Sequence, residues 1–180
     1  MHRLFVAIRP PVEVRTQLLA AMGGVPGARW QTDDQLHLTL RFIGEVDRHG
    51  ANDIADALAT IRFAPFEIAL SGVGCFRNGA HVNALWAGIQ PRDRLDHLHA
   101  KVDRACVRAG STADDRAYMP HITLARMSRS AGAPDAFLTH HAGLASAPFT
   151  VDEFILYESH LGGTRARYRP VDRYPAHLGK

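Results

Sequence analysis

Two histidines and two threonines stand out in this sequence by type and spacing. His37 and Thr39 are two apart in Leu36-His37-Leu38-Thr39-Leu40-Arg41-Phe42-Ile43-Gly44; His121 and Thr123 are two apart in Pro120-His121-Ile122-Thr123-Leu124-Ala125-Arg126. The two His-x-Thr-Leu copies lie 84 positions apart (121 − 37). Read as strands, successive side chains alternate between faces. Leu36, Leu38, Leu40 and Phe42 then make one apolar face, and Ile122 and Leu124 its counterpart. His37, Thr39 and Arg41 share the other face, as do His121 and Thr123. Arg126 is five positions from His121, so strict alternation puts it on the apolar side.

Two imidazoles in one cleft suit general acid–base catalysis. With an ordinary pKa of about 6.5, one ring can accept a proton while the other donates one. Threonine hydroxyls can hold the non-bridging oxygens of a phosphate, and Arg41, Arg126 or both can neutralise its charge. A phosphodiester held this way needs no metal. Water would attack on one side and the leaving group would be protonated on the other.

The elements that must position these groups are legible in outline. Leu4 to Ile8 reads as a strand, closed by Pro10-Pro11. A helix follows with Val12, Leu18, Leu19 and Met22 as its buried stripe, ended by Gly23-Gly24. A second helix spans about 50–61, and Phe66 to Leu70 alternates as a strand. Gly72 and Gly74 lead to a turn at Arg77-Asn78-Gly79, before a strand from Val82 to Ile89. Asp93 to Arg108 reads as a helix with Leu95, Leu98, Val102, Ala105 and Cys106 inward. A loop from Ser111 to Asp115 precedes the second motif strand. Later elements are a short helix from Asp135 to His141, a strand from Phe149 to Tyr157, a hairpin turn at Leu161-Gly162-Gly163 and a strand from Ala166 to Val171. The tail from Pro175 to Lys180 is expected to be mobile. Ala64-Pro65-Phe66 and Ala147-Pro148-Phe149 each open a strand after a motif, which suggests two similar lobes, each with one motif strand on a shared cleft.

Composition excludes several classes. The chain has 180 residues, 46% hydrophobic and 22% charged, which is ordinary for a globular protein and not for a disordered one. Its apolar runs fall short of the roughly 18 residues of a membrane span. Two cysteines make neither a disulfide framework nor a metal motif, and the expectation is a cytoplasmic protein. A net charge of +3 accommodates an anionic substrate without demonstrating nucleic-acid binding. Of the 11 histidines, nine carry no assignment: His97 and His99 do not face one another on a helix, and adjacent His140 and His141 lack a third ligand. Trp30, Phe42, Trp86 and Tyr157 are aromatics that can stack on a base or fill the core.

The paired motifs resemble those of the 2H phosphoesterase superfamily, named for its two histidines. Within it, the chain resembles the RNA 2',3'-cyclic phosphodiesterases, also called 2'-5' RNA ligases. Arg3 to Ile8 resembles that family's opening strand, Phe66 to Phe76 and Leu85-Trp86-Ala87-Gly88 its central strands, and Leu156-Tyr157-Glu158-Ser159 its late strand. The resemblance implies an α+β, bilobal fold: two similar lobes with antiparallel sheets lining a central cleft, helices outside, in a single domain over residues 1–180. It implies metal-independent hydrolysis of a terminal 2',3'-cyclic phosphate to a 2'-phosphate, without a cofactor. His37 would be the proton donor to the departing O3' and His121 the proton acceptor that activates water. Thr39, Thr123 and Arg126 would bind the phosphate. The sequence itself is nearly symmetric and leaves the choice of acid and base open. The expected partner is RNA with a 2',3'-cyclic phosphate terminus or a small cyclic nucleotide, bound by a monomer, with no membrane involved. Another 2H activity, on 2',5'-oligoadenylate or a cyclic phosphate of ADP-ribose, is the enzymatic alternative. A non-catalytic nucleotide- or RNA-binding module is the alternative of a different class.

Overall fold

Alternating apolar segments pair into a sheet, and amphipathic helices cover one of its faces. The structure, a computed structural model, describes residues 1–114, 116–162 and 165–177. The first half runs β1 (His2–Ile8), α1 (Val12–Ala21), β2 (Ala28–Trp30), β3 (Leu38–Val46), α2 (Arg48–Ala59), β4 (Phe66–Asn78) and β5 (His81–Gln90). The second runs α3 (Asp93–Arg108), β6 (His121–Met127), α4 (Asp135–His140), β7 (Phe149–Val151), β8 (Glu153–Gly162) and β9 (Arg165–Pro175). A 3-10 turn, Asp33–Gln35, leads into the first motif.

Among the described residues the strands form one antiparallel sheet ordered β7-β4-β5-β6-β3-β1-β8-β9, with β2 paired to β6. The motif strands β3 and β6 meet in the middle through one pair, Leu38 with Ile122. The halves joined there interleave along the chain: β4 to β7 with β2 build one, and β1 and β3 with the β8–β9 hairpin build the other. The two Pro-Phe strands are therefore not equivalents in two lobes. β4 and β7 lie in the same half and pair with each other, Phe66 opposite Val151 and Ile68 opposite Phe149.

α3 buries Leu95, Leu98, Val102, Ala105 and Cys106, the stripe its spacing predicts. Leu95, Leu98 and Val102 are each worth about 1.5–3 kcal/mol when buried. α2 buries Ile54 and Leu58, starts at the Asp47 carboxylate, which accepts from Gly50 N–H at 2.8 Å, and packs against α3 and β3. α1 departs from its predicted stripe. Val14 and Leu18, four apart, are buried, whereas Val12 and Leu19 are 56% and 37% exposed. At 3.6 residues per turn, Val12 and Leu19 lie well round the helix from the Val14–Leu18 line. The opposite face of the sheet carries a smaller cluster of Phe5, Ala7, Ile155 and Tyr157, with Tyr168 against it.

Other boundaries shift as well. β4 continues past Leu70 to Asn78, changing register against β5 between Leu70 and Val73. The expected Phe149–Tyr157 strand is two strands, β7 and β8, and β8 runs on to Gly162. Gly163, within the expected hairpin turn, and Asp115, at the end of the expected loop, lie outside the described residues, as do residues 178–180 of the expected tail. Pro175 ends β9, and the next two residues are tied down: Ala176 N–H donates to Asp152 O and His177 N–H to Phe63 O. Among the described residues no helix is long and apolar enough to cross a membrane.

Candidate active site

The register through Leu38 and Ile122 sets the two motifs head to tail across the middle of the sheet. In an antiparallel ladder that register puts His37 across from Thr123 and Thr39 across from His121. Each histidine therefore stands near the other motif's threonine.

Both imidazoles are held the same way. Nδ1 of His37 lies 2.7 Å from the Gln35 carbonyl, and Nδ1 of His121 lies 2.7 Å from the Met119 carbonyl. A carbonyl only accepts, so each ring carries its hydrogen on Nδ1 and keeps Nε2 for substrate. Aromatic walls fix the ring planes. His37 sits between Phe5, 4.9 Å away by centroid, and the edge of Tyr168 at 5.1 Å. His121 meets Phe76 edge-on at 4.7 Å, with Trp86 at 6.3 Å. Trp86 reaches this place by lying across Gly74 on β4, where a Cβ would come within 2.3 Å of the indole. Gly74 is thus required by close approach.

Burial pushes the His37 imidazole down to about 4, aided by the charges of Arg126, His121 and Arg9 and opposed by the bond to Gln35. His121 is lowered for the same reason, burial first, with the Met119 bond opposing and Arg126 adding to the fall. Both rings are therefore neutral at pH 7 while the cleft holds no anion. An entering phosphate favours the charged form and raises both.

A bulge just after the threonine of each motif strand decides which arginine joins this site. Opposite β1, Ala7 pairs with Thr39 and Val6 with Arg41, so Leu40 is the extra residue. Opposite β5, Trp86 pairs with Thr123 and Leu85 with Ala125, so Leu124 is the extra residue. After an extra residue the alternation reverses. Leu40 and Arg41 both point inward, 2% and 4% exposed, as do Leu124 and Ala125. Arg126 consequently turns onto the face of His121 and Thr123, against strict alternation, and its charge acts on both imidazoles. The same reversal removes Arg41 from the phosphate-binding row. Its guanidinium pairs with Asp103 of α3 at 2.6 Å and donates to the Thr112 carbonyl. Phe42, expected in the core, is 54% exposed and faces Phe5 at 6.0 Å.

Arg29 is a neighbour of the candidate site that the sequence did not reveal. It sits on β2, too short a strand to show a period, and pairs directly with Arg126 across the ladder. Like charges facing each other on a sheet repel, and an anion between the two would relieve that repulsion. Of the aromatics considered for base stacking, Trp30 packs 5.2 Å from Phe137, and Tyr157 is buried and stacked on Phe5 at 5.2 Å. Among the described residues no group of three or more His, Cys, Asp or Glu is placed to hold a metal.

A family model described as the 2'-5' RNA ligase superfamily matches residues 10–163. The RNA 2',3'-cyclic phosphodiesterase of Escherichia coli is 32% identical over 177 residues, covering 96% of this chain and 96% of that one. The RNA 2',3'-cyclic phosphodiesterase of Geobacillus stearothermophilus is 30% identical over 159 residues, 86% of this chain. The chain spans about half the length of that relative, the match covering 50% of it. The crystal structure of E. coli LigT complexed with 3'-AMP superposes with a TM-score of 0.79 at 28% identity, over 98% of this chain and 99% of that one. With a match over most of its length and its two motif strands paired in the middle of the sheet, the chain belongs to the 2'-5' RNA ligase superfamily.

Proposed function

We propose that this protein hydrolyses the 2',3'-cyclic phosphate at an RNA or nucleotide end to a 2'-phosphate, with His37 and His121 as its acid and base. The family and the similarity to RNA 2',3'-cyclic phosphodiesterases support the reaction class. The observation that carries the mechanism is the matched pair of imidazoles, each tied through Nδ1 to a backbone carbonyl, with Nε2 left for the reacting atoms.

In this reading the cyclic phosphate binds against the Thr39 and Thr123 hydroxyls and the Arg126 guanidinium. Its charge raises both imidazoles, and one takes up a proton. His121 Nε2 accepts a proton from water as the water oxygen bonds to phosphorus. The P–O3' bond breaks, and His37 Nε2 delivers its proton to O3'. The products are a 3'-hydroxyl and a 2'-phosphate, and solvent returns the proton from His121 to His37. Each proton transfer is worth about 10²–10⁴ in rate. The donor role of His37 and the acceptor role of His121 follow the family resemblance.

The test is product analysis on a dinucleotide ending in a 2',3'-cyclic phosphate, with excess EDTA present throughout. Phosphorus NMR should show the 2'-phosphate only, at a rate unchanged by the chelator. A 3'-phosphate product, or activity that chelation abolishes and a divalent ion restores, would count against the mechanism. Binding without turnover would favour the nucleotide-binding alternative.

A further inference from the structure

Gln35, Arg41 and Glu158 are the buried polar or charged side chains among the described residues. Arg41 and Glu158 are accounted for by their ion pairs with Asp103 and Arg169. Gln35 is neutral, and no step of the proposed reaction uses its side chain. Burying an amide costs free energy unless its polar ends find partners. Both ends of this one do: Oε1 accepts from Thr32 N–H at 3.2 Å, and Nε2 donates to the Ala166 carbonyl at 2.9 Å. The first bond closes the 3-10 turn on itself. The second crosses to β9, 131 positions away in the chain. The start of the turn is clamped separately, because Asp33 accepts from Arg15 of α1 at 2.8 Å and from Arg9, just past β1, at 3.0 Å. Arg15, with Arg9 adding to it, holds the Asp33 carboxyl below the ordinary carboxylate range. The turn is thus fixed at its first residue to α1 and β1, and at its last to β9.

From this arrangement we infer that Gln35 is a positioning residue: its side chain, anchored on β9, aims its own carbonyl so that His37 keeps its hydrogen on Nδ1 and turns Nε2 to the substrate. The catalytic part of this inference rests on the reading of His37 as the proton donor. A neutral imidazole can carry its hydrogen on either nitrogen, and the bond made by one nitrogen decides which. The second motif meets the same need in another way. There the orienting carbonyl belongs to Met119, and Pro120 follows it. A proline confines the backbone of the residue before it to extended conformations, which limits where that carbonyl can point. The first motif has Leu36 in place of the proline, and Leu36 imposes no such limit on Gln35. The side-chain bond to Ala166 supplies the missing constraint. β9 also reaches the same imidazole directly, because Tyr168, two positions after Ala166, stands edge-on to His37 at 5.1 Å.

The test is Gln35→Met, which keeps the length of the side chain and removes both of its bonds. Gln35→Ala is the second variant, since it leaves room for water on the Thr32 N–H and the Ala166 carbonyl. Nitrogen-15 NMR of the histidine rings at neutral pH, without substrate, reports which ring nitrogen carries the hydrogen. In the wild type His37 and His121 should both carry it on Nδ1. In both variants His37 should populate the Nε2–H form while His121 stays unchanged, which also shows that the site is still folded. On 2',3'-cyclic AMP, kcat should fall by about 10²-fold, the loss expected for a group misplaced by about 1 Å, with KM little altered. On a nitrophenyl phosphodiester, whose leaving group needs no proton, the loss should be much smaller. His37 keeping its hydrogen on Nδ1 in both variants would overturn the inference. So would a change at His121 as large as that at His37, which would make Gln35 a support of the whole fold. Absence of 2',3'-cyclic AMP turnover in the wild type would instead remove the proposed hydrolysis, and the ring spectra would still decide what Gln35 does to His37.

Discussion

His99 and Tyr118 lie ring on ring, centroids 3.9 Å apart and planes 4° from parallel, and together they hold the first motif strand at its bulge. His99 Nδ1 donates to the Leu40 carbonyl at 2.7 Å, and the Tyr118 hydroxyl donates to the Thr39 carbonyl at 3.3 Å. Burial raises the Tyr118 pKa, so the hydroxyl stays a donor. The next residue, Met119, supplies the carbonyl that orients His121. One aromatic pair thus ties both motifs together. Tyr118→Phe keeps the stack and removes one hydrogen bond, which should cost about 0.5–1.5 kcal/mol of stability. His99→Ala removes the stack as well and should lower kcat more than it raises KM, because it loosens the placement of Thr39. Urea unfolding and steady-state kinetics on the two variants check this. A stability loss with unchanged kcat in His99→Ala would make the pair merely structural.

The two histidines should divide the work. His37→Ala and His121→Ala should each lower kcat by about 10²–10⁴ on a cyclic phosphate. A nitrophenyl phosphodiester has a leaving group that needs no proton. On it, His37→Ala should lose much less, while His121→Ala, lacking the base, stays impaired. Equal losses on both substrates would retain the pair and remove the assignment of donor and acceptor.

The pH profile should differ between free and occupied enzyme. Both imidazoles are depressed in the unoccupied cleft, His37 to about 4, chiefly by burial. The profile of kcat/KM reports free enzyme, so its limbs should lie on the acid side of the ordinary histidine range. The profile of kcat reports the complex, where the anion raises both rings. Its limbs should move to higher pH by about 1–3 units, and they belong to the coupled pair rather than to one residue. Rate measurements from about pH 4 to 9 check this against the ordinary pKa near 6.5. Coincident profiles would contradict the electrostatic argument.

Arg126 and Arg41 should separate cleanly. Arg126→Ala loses a charged contact to the phosphate, worth about 1.5–3 kcal/mol of transition-state binding, with little effect on stability. Arg41→Ala leaves Asp103 without its partner beneath the sheet. Breaking a buried pair costs about 3–5 kcal/mol, and Asp103 is only partly buried, so the low end of that range is expected, with KM unchanged. The reverse pattern would place Arg41 in the site and refute the role given to the bulges.

Much of this protein is determined by local pattern. The paired motifs, the inward stripe of α3 and the apolar sides of β3 and β6 up to Leu40 and Leu124 follow from periods of 3.6 and 2, which depend on backbone geometry alone. The choice of His37 and His121 as candidates rests on the same local signal, repeated once. What the chain could not declare by itself was parity beyond the bulges. Arg41 satisfies the alternation and is buried on α3; Arg126 violates it and reaches the site. An extra residue exists only relative to a partner strand, and the partners β1 and β5 come from elsewhere in the chain. The same reason hid Arg29, the pairing of β4 with β7, and the return of β8 and β9 to β1. Each is a matter of long-range register, which only the assembled sheet decides.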